Sequence, residues 1–193
     1  MPELPEVEAE RLALAPLLRK AHIASLVIHR AGLRRPFPIN FASRVTGTTV
    51  RRLTRRAKYL LADLSSGDTL LMHLGMSGSF RIEPADHALT PHDHVVFQLA
   101  SGRAIVFNDP RRFGVMDLIP TADLDRRPPL AGLGPEPLSR HFDGVALAHA
   151  CARTRRPLKA ALLDQQVVAG VGNIYASEAL HVARLSPRLR ASA

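Results

Sequence analysis

The sequence predicts an α+β chain: a helix at the start, a long run of short and mostly antiparallel strands, then a helical second part. Three observations predict it. Pro5 opens the acidic stretch Glu6-Val7-Glu8-Ala9-Glu10, and Leu12, Leu14, Leu17 and Leu18 follow at helical spacing. Between residues 23 and 107 the apolar runs are short, rich in β-branched residues and broken by turn signals such as Ser65-Ser66-Gly67-Asp68 and Ser101-Gly102. Past residue 126 the pattern changes to proline and glycine punctuation and then to Ala-rich segments.

The first helix has a clear physical start. Proline at the first turn has no N–H to leave unpaired, and Glu side chains complement the positive end of the helix. Glu3 and Glu6 are thereby expected close to the Pro2 nitrogen. Strands are expected over 23–28, 45–53, 59–64, 69–74, 95–99 and 104–107, with 83–93, which contains Pro84 and Pro91, as a loop. Residues 1–125 form the expected first domain, 126–140 a linker, and 141–193 a second domain with helices over 144–152, 158–165 and 174–182. No internal repeat or low-complexity tract interrupts this order. The last residues, 184–193, end without a closing element.

Composition narrows the function classes. The 193 residues carry a formal charge of +9, and all but three of the 26 basic residues are arginine, the exceptions being Lys20, Lys58 and Lys159. Nucleic acid is the first partner that such a charge suggests. A single cysteine, Cys151, excludes an internal disulfide framework and any zinc site built on several thiolates of this chain. No signal pattern opens the sequence and no apolar run reaches membrane-spanning length, so the expected setting is cytoplasmic, and nucleoid-associated if the chain binds DNA.

The most informative stretch is Met1-Pro2-Glu3-Leu4-Pro5-Glu6-Val7-Glu8. Removal of the initiator Met would leave a secondary amine flanked by carboxylates. An α-amino group titrates near ~8, so a useful fraction is unprotonated at neutral pH. Attack of a secondary amine on a sugar C1′ gives an iminium that cannot discharge by losing an N–H, and this acidifies the C2′ proton. Taken alone, the stretch also reads as an ordinary helix start, because proline is common there.

Further segments carry chemistry of their own. In Arg51-Arg52-Leu53-Thr54-Arg55-Arg56-Ala57-Lys58-Tyr59, period two would place Arg52, Arg56 and Lys58 on one face, a ridge suited to phosphates or simply a solvated basic face. His73-Leu74-Gly75-Met76-Ser77-Gly78 follows a strand, and its glycines allow a turn presenting Met76 outward. Asp109-Pro110-Arg111-Arg112-Phe113-Gly114 offers Arg and an aromatic ring in the same way. Enzymes that extrude a base fill the hole with apolar or planar side chains; the alternative is that Met76 and Phe113 are core residues. Val168-Ala169-Gly170-Val171-Gly172-Asn173 joins two helices and offers backbone N–H groups with Asn173 as the cap, a seat for phosphate. His92-Asp93-His94 lacks a third ligand in register and reads as structural.

Together these motifs resemble the bacterial formamidopyrimidine-DNA glycosylase family, which excises oxidised purines, over residues 2 to about 187. Gly134-Pro135-Glu136-Pro137-Leu138 and Arg55-Arg56-Ala57-Lys58-Tyr59 add to the match. The resemblance implies a two-layer β-sandwich flanked by helices, then a partial helix-two-turns-helix module, with damaged double-stranded DNA in the cleft between them and a monomer as the acting species. It implies Pro2 as the nucleophile, Glu3 as the acid/base and Glu6 as the group that orients the amine or a water. Lys58, His73 and Asn173 fall on phosphate-holding positions, and Met76, Arg111 and Phe113 on those that fill the vacated stack. Arg112 and Lys159 are further DNA contacts. No cofactor takes part. Family members continue for several dozen residues and usually end in a four-cysteine zinc finger, which one cysteine cannot build, so lyase action on abasic sites is expected to outlast efficient base excision. The alternatives are a truncated, non-catalytic DNA-binding remnant and, less well supported with 5% aromatic residues, an RNA-associated protein.

Overall fold

The computed structural model describes residues 2–192, which form two compact units: 2–55 with 59–125, and 56–58 with 126–192.

In the first unit, helix α1 (Leu4–Leu18) begins with a reciprocal capping box in which the side chains of Glu3 and Glu6 serve each other's backbone N–H groups. Glu6 Oε2 accepts from the Glu3 N–H at 2.8 Å. Leu4, Val7, Leu14 and Leu18 line its buried stripe. Strand β1 (Ile23–Ile28) and the short helix α2 (Phe41–Val45) follow. Next come β2 (Val50–Arg56), β3 (Tyr59–Leu64), β4 (Asp68–His73), β5 (Ser79–Pro84), β6 (Asp93–Leu99), β7 (Arg103–Asn108) and β8 (Val115–Pro120). They build two four-stranded sheets, ordered β1-β6-β7-β5 and β2-β3-β4-β8. Inward residues of both, among them Leu26, Phe97, Ile105 and Phe107 of one and Leu60, Leu70, Met72 and Met116 of the other, share a core with Val7, Leu14 and Leu18 of α1. This is the expected sandwich.

The strand registers position the site. His73 of β4 pairs with Val115 of β8, and Ser79 of β5 pairs with Asn108 of β7. The β4–β5 and β7–β8 connections both pass from one sheet to the other between those paired ends. They must therefore run side by side, although more than thirty residues separate them in sequence.

Several elements differ from the sequence expectation. The 45–53 strand divides: Val45 ends α2, a turn through Gly47 at φ 78° follows, and β2 starts at Val50. β5 and β8 lie outside the expected strands, and β5 takes Glu83 and Pro84 from the expected loop. β5 is an edge strand with no fully buried residue, so its hydrophobic signal is dilute. The basic ridge is not continuous either. Ala57, at φ 51°, and Lys58 form the turn between β2 and β3, while Arg55 is drawn to Glu8 at 3.0 Å.

In the second unit, α3 (Gly144–Ala152) is capped by Asp143, whose Oδ1 accepts from the Ala146 N–H at 2.8 Å. Helix α4 (Leu158–Leu163) stops two residues short of expectation, where Asp164 turns the chain and accepts from the Gln166 N–H. Helix α5 (Asn173–Val182) packs Ala176 and Leu180 on Leu162 and Val168. Arg56 donates to Glu136 at 3.0 Å and to the carbonyls of Leu133 and Gly134. The chain end folds back, with Leu158 N–H donating to Leu189 and Ala191 N–H to Arg156.

Candidate active site

Pro2 immediately precedes the N-cap of α1 and lines a cleft of about 450 Å³ with Glu6, Glu10, Leu74, Gly78 and Ser79. Glu3 is 1% exposed and anchors the helix start, whereas the exposed Glu6 holds the Glu3 N–H. The consequence is a fixed relation between the two carboxylates and the nitrogen that precedes them. The positive end of α1 disfavours a proton on a nearby amine, and the carboxylates act in the opposite sense.

The segment between Leu74 and Gly78 is at once a wall of this cleft and the turn that carries Met76. Gly75 sits at φ +66°, and a Cβ there would lie 2.3 Å from the Phe113 carbonyl carbon, so the two connections touch backbone to backbone. Asp109, fully buried, ties them together. Its Oδ1 accepts from Ser77 Oγ at 2.6 Å and its Oδ2 from the Gly114 N–H at 2.8 Å. Ser77 Oγ in turn accepts from the Arg111 N–H at 3.1 Å. His94 Nε2 donates to the Asp109 carbonyl at 2.8 Å, a structural use of the His92-Asp93-His94 segment. On this braced platform Met76 and Phe113 are each 39% exposed, and the Arg111 guanidinium lies 4.8 Å from the Phe113 ring centroid. Met76, Arg111 and Phe113 are thus brought together at the surface, and neither apolar side chain belongs to the core. Arg112 is exposed beside them at φ 57°.

His73 ends β4 and stacks at 4.9 Å on Tyr59. Its Nδ1 accepts from the Gly75 N–H at 2.9 Å, which leaves the proton of a neutral ring on Nε2, a donor suited to an anionic oxygen. Burial pushes the Tyr59 hydroxyl up from its ordinary value, and Arg35 and Arg34 partly oppose that. Arg34 also donates its N–H to the Gly114 carbonyl at 3.1 Å, which attaches an arginine pair to the platform.

In the second unit Lys58 and Lys159 are half-buried and Asn173 is exposed. The cap of α5 is Gly172, and Asn173 is its first helical residue. Gly172 takes the extended geometry that an N-cap requires, which moves Asn173 one position inward and leaves its side chain off the capping role. A larger groove of about 590 Å³ lies in this unit against Phe142, Leu147, Val171 and Tyr175, and its lining is apolar apart from Tyr175 and Glu178. Among the described residues no group of three or more His, Cys, Asp or Glu is placed to hold a metal ion.

Pro2, Glu3 and Glu6 were legible because they are neighbours in sequence. Asp109, Ser77, Arg34 and Glu10 were missed as parts of the site. Ser77 and Asp109 lie inside motifs that the sequence had marked without giving them a role, and Glu10 left a local signal too, four residues beyond Glu6 on the same helix face.

The family described as Formamidopyrimidine-DNA glycosylase N-terminal domain matches residues 1–116, and its H2TH domain matches residues 133–193. Formamidopyrimidine-DNA glycosylase of Rhodopseudomonas palustris strain TIE-1 is 57% identical over 204 aligned residues, covering 100% of this chain and 70% of the relative. That of Bradyrhizobium sp. strain BTAi1 is 58% identical over 97% of this chain and 68% of its own length. The structure of Lactococcus lactis Fpg with DNA containing an abasic site is similar at a TM-score of 0.90 and 30% identity, over 98% of this chain and 70% of that one.

Proposed function

The chain belongs to the formamidopyrimidine-DNA glycosylase family, and from that premise we propose that it is a base-excision-repair glycosylase and abasic-site lyase acting on oxidised purines in duplex DNA. The observation that carries this reading is the shared cleft: Pro2 and Glu6 line one side, and the segment that bears Met76 lines the other. With Met1 removed, the Pro2 nitrogen attacks C1′. The N-glycosidic bond breaks, its electron pair leaves with the base, and the base takes up a proton. The sugar ring opens as O4′ is protonated, leaving an iminium between Pro2 and C1′. Loss of the C2′ proton then expels the 3′ phosphate, and a second elimination expels the 5′ phosphate. Glu3 serves as the proton donor and acceptor for these transfers, and Glu6 holds the helix start and orients the amine or a water.

Met76, Arg111 and Phe113 fill the gap left by the extruded nucleotide, which offsets part of the few kcal/mol of unstacking. His73, Lys58 and Asn173 take phosphate oxygens, with Arg112 and Lys159 as outer contacts. The +9 charge supports a DNA partner. Among the described residues no helix is long and apolar enough to cross a membrane.

Borohydride trapping on a duplex with one abasic site tests the reading, using protein whose Met1 removal is confirmed by mass. A covalent band lost in Pro2→Gly is the expected result. A band that persists in Pro2→Gly moves the nucleophile elsewhere. Salt-sensitive binding with no band from the folded wild type would make the chain a non-catalytic DNA-binding remnant.

A further inference from the structure

Glu10 is an ionisable group of the Pro2 cleft that the mechanism above leaves unused. It lies four residues after Glu6 on α1, so the two carboxylates are neighbours about 5–6 Å apart at Cβ. Its Oε1 accepts from the Phe80 N–H at 3.4 Å. Among the described residues no cation pairs with it, which is unusual for a half-buried carboxylate in a chain with 26 basic and 17 acidic residues. The neighbouring charges are committed elsewhere. On α1, Glu8 pairs with Arg11 and Arg55. On β5, Arg81 pairs with Glu83 and Asp93, while Ser79 and the Phe80 amide face the cleft. On β3, Tyr59 stacks on His73 and Asp63 accepts from Thr69. The ionisable groups that share the cleft with Glu10 are therefore Glu6 and, once Met1 is removed, the Pro2 amine.

Resting on the nucleophile reading above, we propose that Glu10 is a positioning residue that takes, through Glu6 or a cleft water, the proton the Pro2 amine must lose before it attacks. The transfer moves one proton and no electron pair to Glu10. The ammonium becomes the free amine, the carboxylate becomes the acid, and the released nitrogen lone pair forms the bond to C1′. Burial raises Glu10 above its ordinary carboxylate range, which brings its basicity nearer to that of the amine and makes it a better acceptor than a solvated glutamate.

The test is the single-turnover rate of borohydride-trapped adduct on abasic duplex between pH 5 and 9. In the wild type the reactive form carries an ionised Glu10 and a protonated amine, so the rate runs level between their two titrations. In Glu10→Gln, which keeps an acceptor for the Phe80 N–H, the rate should climb with pH up to the titration of the amine. At pH 6, where most of the amine is protonated in both proteins, it should lie several-fold below wild type because it lacks this proton acceptor, and the two should converge above pH ~8. Acetate added at pH 6 should restore part of the lost rate in Glu10→Gln and not in the wild type, which a purely structural role would not produce. Pro2-dependent trapping with superimposable profiles overturns the role of Glu10 alone. Trapping that survives Pro2→Gly, or no trapping by folded protein, overturns the nucleophile reading and this proposal with it.

Discussion

Replacing Gly75 by alanine separates two ways in which a glycine can matter, and it probes the contact on which the platform depends. Gly75 lies at φ +66°, where an L side chain costs about 1–2 kcal/mol. Its added Cβ would also stand 2.3 Å from the Phe113 carbon and 2.5 Å from the Gly114 nitrogen. Those are backbone atoms that no rotamer change can move aside, and forcing a methyl into packed structure costs about 1–3 kcal/mol more. Gly67 supplies the control, because it lies at φ +90° with nothing within 4 Å of the place a methyl would take. The unfolded-state gain from alanine, about 0.4–1 kcal/mol, is common to both and cancels in the comparison. Urea unfolding should therefore find Gly75→Ala about 1–3 kcal/mol less stable than Gly67→Ala. Parting the two connections also displaces Met76 from Arg111 and Phe113, so affinity for an abasic duplex should fall at least roughly tenfold, the equivalent of about 1.4 kcal/mol, in Gly75→Ala only. Equal stability losses and equal affinities in the two variants would refute the claim that the connections are held by backbone contact.

Two further outcomes follow from the same geometry. Burial alone would raise Asp93, but hydrogen bonds from Asn108, Thr90 and Arg81 overcome it and bring the carboxyl from 3.8 to about 2. A depressed folded value means that its contribution, about 2 kcal/mol, is present above pH ~4 and is lost as pH falls through about 2; the acid limb of unfolding stability should be shallower in Asp93→Asn, and an unchanged limb would sink this. Alanine at Met76, Arg111 or Phe113 should change stability by less than about 0.5–1 kcal/mol, since these side chains are exposed and joined by one cation–π contact, while weakening binding to abasic duplex more than to intact duplex; equal losses on both duplexes would count against a gap-filling role.

What the sequence determined by itself is what neighbours along the chain decide. Pro5, the acidic first turn and the leucine spacing specify α1, because helix start and helix face depend on residues three or four apart. The same locality made Pro2, Glu3 and Glu6 readable as a group, and the glycines flanking Met76 readable as an outward turn. β5 and β8 escaped because one is a half-exposed edge strand and the other carries Asp117 in its middle, so neither shows an unbroken apolar pattern. Similarly, the offset of the α5 cap to Gly172 depends on backbone torsion that no composition rule resolves. Only the tertiary structure decided that Ser77 would bind Asp109, that Gly75 would abut Phe113, and that Glu10 would sit half-buried in the Pro2 cleft against the Phe80 N–H. The reason is physical: those relations are fixed by the pairing of β4 with β8 and of β5 with β7, and strand register is settled by burial across the whole sandwich, not by any window of the chain.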